Sequence, residues 1–144
     1  MSWRLGTAVL AGAMVCVWLG GAVLATAAED QEKPYILKDG KVDQHTYNGW
    51  RRYTESCLRC HGPDGAGSSY APDLTESLKS LSEDQFKEVV VNGRKNVTTA
   101  SENFMPPFGE VEDVVLYLDD IYAYLKARSD GVLGRGRPER FEQK

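Results

Sequence analysis

Few side chains in this sequence can hold a metal or attack a substrate. It has 3 cysteines, 2 histidines and 3 methionines in 144 residues. It lacks a basic excess: the formal net charge is -4, which excludes a general nucleic-acid binder relying on a positive surface. It lacks a G-x-x-x-x-G-K-[ST] phosphate loop, so its glycines do not read as a nucleotide cradle. It also lacks any sustained period-two alternation, and no β-strand is predicted. What remains is ordinary globular composition, with 42% hydrophobic and 26% charged residues, enough for one small domain.

The long apolar run is at the start. Met1–Arg4 carries one positive charge, Leu5–Ala25 is uncharged, Ala25-Thr26-Ala27 fits a small-residue cleavage box, and Glu29-Asp30 opens a polar region. This three-part pattern predicts an export signal over 1–27, cut after Ala27. An uncleaved anchor is the competing reading, because the run approaches bilayer-spanning length. Cleavage leaves Cys57, Cys60, His45, His61 and Met105 as the soft or imidazole ligands.

Cys57-Leu58-Arg59-Cys60-His61 reads C-x-x-C-H, the attachment signature of c-type haem. Two thiols about one helical turn apart can reach two vinyl groups on one porphyrin edge, and the next residue then places an imidazole beneath the iron. Three rival readings compete with it. A thioredoxin-like pair opens a helix after a strand, with a lowered thiol pKa, whereas Thr46–Ser56 reads as a helix ending at the pair. A zinc site needs four ligands and would have to recruit His45. A structural disulfide gives His61 no role. We therefore expect one covalently bound haem c.

A low-spin electron carrier needs a second axial ligand on the other haem face. Met105 is the candidate, in Asn103-Phe104-Met105-Pro106-Pro107-Phe108, an irregular loop fixed by two prolines, 44 residues beyond His61. Its bland alternative is a core gap filler. His45 reads as a surface or capping-region histidine.

Around this centre the pattern predicts an all-α domain. Residues 28–44 read as an extended arm with an Asp39-Gly40 turn. Helix one is expected over 45–58, with Gly49, Tyr53 and Cys57 on one face. Residues 62–73 read as a loop wrapping the cofactor, and 74–80 as a short helix. Ser82 and Gln85 predict a capping box opening a helix that ends before Gly93. A last helix over 110–128 shows the stripe Val114, Leu118, Ile121 and Leu125. There, Tyr117 and Tyr124 are expected to pack on Gly49 and Tyr53, with Glu112, Asp113, Asp119, Asp120 and Lys126 in water. From Lys126 to Lys144 six basic and three acidic residues follow. This tail reads as a solvated segment on the surface or as a docking arm for an acidic partner.

These residues resemble the class I c-type cytochromes over about 45–128. The shared pattern is Cys57–His61, the Gly62–Gly67 loop, Pro72-Asp73-Leu74, Met105-Pro106, and Tyr124-Leu125 in the final helix. The resemblance implies about four short helices around one haem, with the first and last packed on each other. It also implies that the Pro72 carbonyl accepts the His61 ring N–H. Tyr47-Asn48-Gly49-Trp50-Arg51-Arg52, Asp84–Glu88, Tyr124–Gly131 and Gly134–Pro138 are further similar to the methanol-metabolism cytochromes. That narrower likeness implies a periplasmic carrier, not an enzyme. Its donor would be a pyrroloquinoline-quinone (PQQ) methanol dehydrogenase, particularly the lanthanide-dependent type, and its acceptor another cytochrome or a terminal oxidase. The division expected is signal 1–27, arm 28–44, cytochrome domain 45–128 and basic tail 129–144, acting as a monomer. An open-site haem sensor or enzyme, and a membrane-tethered subunit of a dehydrogenase or oxidase complex, are the alternatives.

Overall fold

The computed structural model describes residues 32–97 and 102–142. The expected export signal lies outside the described residues. The arm folds into a small antiparallel hairpin, β1 (Leu37–Lys38) and β2 (Lys41–Val42). Asp39 and Gly40 turn it with positive φ at both positions, the geometry that matches the twist of paired strands.

Helix α1 (Gln44–Ser56) starts at Asp43, whose buried carboxylate accepts from the Thr46 amide and hydroxyl. It ends two residues earlier than expected, and α2 (Leu58–His61) follows at once. A 3-10 turn covers Pro63–Gly65, and α3 (Leu74–Ser77) opens at Asp73. Helix α4 (Glu83–Asn92) opens with the predicted Ser82/Gln85 capping box and buries Phe86 and Val90.

Two expectations fail next. Strands β3 (Arg94–Val97) and β4 (Glu102–Met105) form a second antiparallel hairpin, with Arg94 opposite Met105. The helix expected over 110–128 is two, α5 (Glu112–Leu116) and α6 (Leu118–Ser129). The break coincides with Tyr117, over whose ring the Arg52 guanidinium stacks at 4.4 Å. The predicted stripe survives it, because Val114, Leu118, Ile121 and Leu125 are all buried.

The crossing of α1 on α6 organises the core. A Cβ at Gly49 would lie 1.8 Å from the Asp120 carbonyl oxygen, so only glycine allows the two backbones this close. Tyr53 and Tyr124 meet beside the crossing with ring centroids 5.6 Å apart, while Tyr117 instead faces Arg52. Phe86 of α4 packs on Tyr122 of α6 at 5.4 Å. Asp120 corrects another expectation: it is buried, since it lies at the crossing and its Oδ1 contacts His45 Nδ1 at 2.9 Å.

Beyond α6 the chain turns back. Leu133 is buried, the Val42 amide donates to the Glu139 carbonyl at 2.8 Å, and the Phe141 amide donates to the Val42 carbonyl at 3.1 Å. Residues around Arg140 thus lie parallel to β2. Arg137 stacks over Tyr47 and Trp50, and Arg140 over Tyr47.

Candidate haem site

Cys57 caps the end of α1, donating its amide to the Tyr53 carbonyl. One turn of α2 then carries the rest of the box, with the Cys60 and His61 amides both pointing back at the Cys57 carbonyl, 3.2 and 3.0 Å away. Cys57 is half-buried against the core, Cys60 is exposed, and both thiols are free. Burial, and then the neighbouring Cys60, push the Cys57 thiol up to about 11, the opposite of an activated redox cysteine. The pair directly follows helix α1 rather than a strand, which removes the thioredoxin-like reading.

His61 is buried, and its Nδ1 lies 3.1 Å from the Pro72 carbonyl oxygen. A carbonyl only accepts, so this contact places the proton on Nδ1 and leaves the Nε2 lone pair free. Burial lowers the His61 pKa against the opposing effect of the Pro72 bond, and the ring is neutral at pH 7. A neutral imidazole with a fixed tautomer is the form that ligates a metal.

The chain around His61 closes tightly. Gly62 has φ 73, and a Cβ there would come within 2.3 Å of the Gly67 carbonyl oxygen. The Gly67 amide returns to the His61 carbonyl at 2.8 Å. Tyr53, from α1, donates its hydroxyl to the Gly62 carbonyl at 2.5 Å and accepts from the Gly65 amide at 3.0 Å. At the far end of the loop, Asp73 accepts from the Thr75 hydroxyl and amide and from the Glu76 amide, capping α3 directly after Pro72. Those bonds, the Thr75 hydroxyl first, hold the Asp73 carboxyl below its ordinary range.

Met105 stands apart, at the end of β4 rather than in an irregular loop. It is half-buried on the rim of the same hydrophobic cluster that Cys57 borders. Its segment is bolted to the end of α4. The Phe108 and Gly109 amides satisfy the Val90 and Val91 carbonyls at 3.0 and 3.1 Å. Gly93, with φ 73, lets the strand pass, because a Cβ there would lie 2.6 Å from the Met105 carbonyl oxygen. Thus Cys57, Cys60, His61 and Pro72 are brought together in one place, and Met105 arrives on a separate hairpin.

Tyr53, Asp73 and Gly93 also build the site, beyond the residues expected from the sequence. Tyr53 shared the Cys57 face and Asp73 followed Pro72, so signals existed. Gly93 was visible only as the end of a helix. Among the described residues, no three His, Cys, Asp or Glu side chains converge as a metal cluster, and His45 is held by Asp120. That divergence disfavours zinc. Two thiols one turn apart beside a tautomer-locked imidazole fit a porphyrin attached at two points and ligated at a third.

These features define a c-type cytochrome. Residues 45–125 match the family described as cytochrome c oxidase, cbb3-type, subunit III, and the chain belongs to this cytochrome c family. It is similar to cytochrome c-553I of Paracoccus denitrificans, with 47% identity over 117 residues, 81% of this chain and 52% of that protein. The chain therefore spans about half the length of that relative. It is 48% identical over 100 residues to cytochrome c-555 of Methylococcus capsulatus, covering 69% of this chain and 75% of the relative. The crystal structure of the c-type cytochrome XoxG from Methylobacterium extorquens AM1 is similar at TM-score 0.66 and 39% identity. That match covers 79% of this chain and 76% of that one. Membership of this family, with the Cys57–His61 box, gives the protein a covalently bound haem c. Among the described residues no helix is long and apolar enough to cross a membrane.

Proposed function

We propose that this cytochrome moves single electrons in the periplasm, from a PQQ-dependent methanol dehydrogenase to another cytochrome or a terminal oxidase. The observation that carries the reading is the buried His61 ring, fixed by the Pro72 carbonyl one residue after a helical cysteine pair. When bound, haem c supplies one Fe(III)/Fe(II) couple. Cys57 and Cys60 would hold it by thioether bonds, and His61 Nε2 and the Met105 thioether would ligate its iron. Pro72 keeps the His61 proton on Nδ1. A methionine opposite histidine gives a higher potential than two histidines. In this reading 1–27 is a cleaved export signal, 28–44 an arm, 45–128 the haem-binding domain and 129–144 the tail.

The donor rests on the resemblance of Tyr47–Arg52, Asp84–Glu88 and the tail to methanol-metabolism cytochromes. Stopped-flow mixing of the oxidised protein with purified PQQ methanol dehydrogenase and methanol tests it. Rapid reduction, with a rate that changes along a salt series, is expected. Reduction no faster than by an unrelated quinoprotein dehydrogenase would sink the donor assignment.

The matched family description favours a second reading, a membrane-tethered oxidase subunit. N-terminal sequencing of the mature protein separates the two: a start at Ala28 supports the free carrier, and a retained Leu5–Ala25 run supports the tether.

A further inference from the structure

The loop that leaves the haem box is gripped by a segment that the electron-carrier reading leaves unused. Asp64, three residues after His61, has φ 60, a left-handed conformation that aspartate tolerates. Its side chain is only 10% exposed. Its carboxylate accepts from Arg135 Nε at 3.2 Å and from the Gly136 amide at 2.9 Å. Arg128 of α6 points its Nε at the Asp64 carbonyl at 3.4 Å and donates Nη1 to the Leu133 carbonyl at 2.5 Å. Leu133 is buried, so the returning segment is anchored on both sides of Arg135: by Leu133 before it, and by the β2 pairing and the Arg137 and Arg140 stacking after it.

Three elements therefore close on Gly62–Gly65: Tyr53 from α1, Arg128 from α6, and Arg135–Gly136 from the tail. The same loop ends at Pro72, whose carbonyl holds His61. We propose that Asp64 and Arg135 are positioning residues for the haem: their link fixes the Gly62–Pro72 loop and so sets the strength of the His61–Pro72 hydrogen bond. The proposal rests on His61 being an axial ligand. A hydrogen bond given by Nδ1 makes the imidazole a stronger electron donor to the metal. Such a ligand favours Fe(III), so loosening the loop raises the reduction potential.

A direct charge effect predicts something different, and the difference is the test. Asp64→Asn removes a negative charge and raises the potential under either account. Arg135→Gln removes a positive charge, so charge alone lowers the potential, whereas the clasp raises it. Midpoint potentials are measured on the haem-loaded full chain for wild type, Asp64→Asn, Arg135→Gln and Arg135→Lys. Hydrogen exchange of the peptide spanning residues 62–73 is followed in the same samples. The expected result is a raised potential and faster loop exchange in both Asp64→Asn and Arg135→Gln, with Arg135→Lys closer to wild type. An Arg135→Gln potential that falls or stays put overturns the proposal, as does unchanged loop exchange. Proton NMR of the reduced wild type separates this failure from failure of the ligand assignment. His61 ring protons displaced far upfield by the haem ring current keep the ligand reading alone standing, and their absence removes both.

Discussion

Tyr53, outside the C-x-x-C-H box, ties helix α1 to the loop that leaves it. Its hydroxyl bridges the Gly62 carbonyl and the Gly65 amide, and its ring packs on Tyr124. Burial raises the hydroxyl's pKa well above the tyrosine range, so it stays protonated and keeps donating. Tyr53→Phe keeps the ring and orphans both backbone groups, which should cost about 1–3 kcal/mol in denaturant unfolding. Met105→Ala should abolish the long-wavelength methionine–iron absorption band of the oxidised protein and lower its potential; an unchanged spectrum would refute the axial assignment. His45 makes a pH-dependent contribution. The hydrogen bond to Asp120, then that residue's charge, raises its pKa, with Asp43 and Asp119 adding to the effect. A group with a raised folded pKa stabilises most below its unfolded value, about 6.5, and loses that contribution as pH climbs through the folded value. His45 is largely exposed, so the effect should stay below about 1 kcal/mol. Melting curves at acid and alkaline pH should show it in wild type and not in His45→Gln.

At the scale of elements, the α1–α6 crossing is the most demanding joint. Gly49→Ala places a methyl group against the Asp120 backbone and should destabilise the fold by about 1–3 kcal/mol, read from chemical denaturation. What the sequence showed at this scale was local chemistry. The C-x-x-C-H box, the Ser82/Gln85 capping box and the Val114–Leu125 stripe were legible because each is a short pattern with its own physical cause. The β3–β4 pairing was not, since neither strand shows an alternation of its own. Asp120 read as a wet helix residue because helical position alone does not reveal a glycine on another helix that draws its backbone inward. Likewise, the break at Tyr117 has no proline or glycine to announce it, and Arg52, which stacks there, is far away in sequence.

At the scale of the molecule, the basic tail is less free than its composition implied. Arg135, Arg137 and Arg140 are each engaged with Asp64, Tyr47, Trp50 or Gln44. The haem box and the Gly-rich loop showed where the cofactor attaches, but no local pattern announces that Arg135 and Gly136 reach back to Asp64. The closure also couples distant parts of the chain. Asp64 and Arg135 are 71 positions apart, so loosening the segment around Arg135 alone would free Gly62–Gly65 from one of its three holders while leaving the α1–α6 crossing shut.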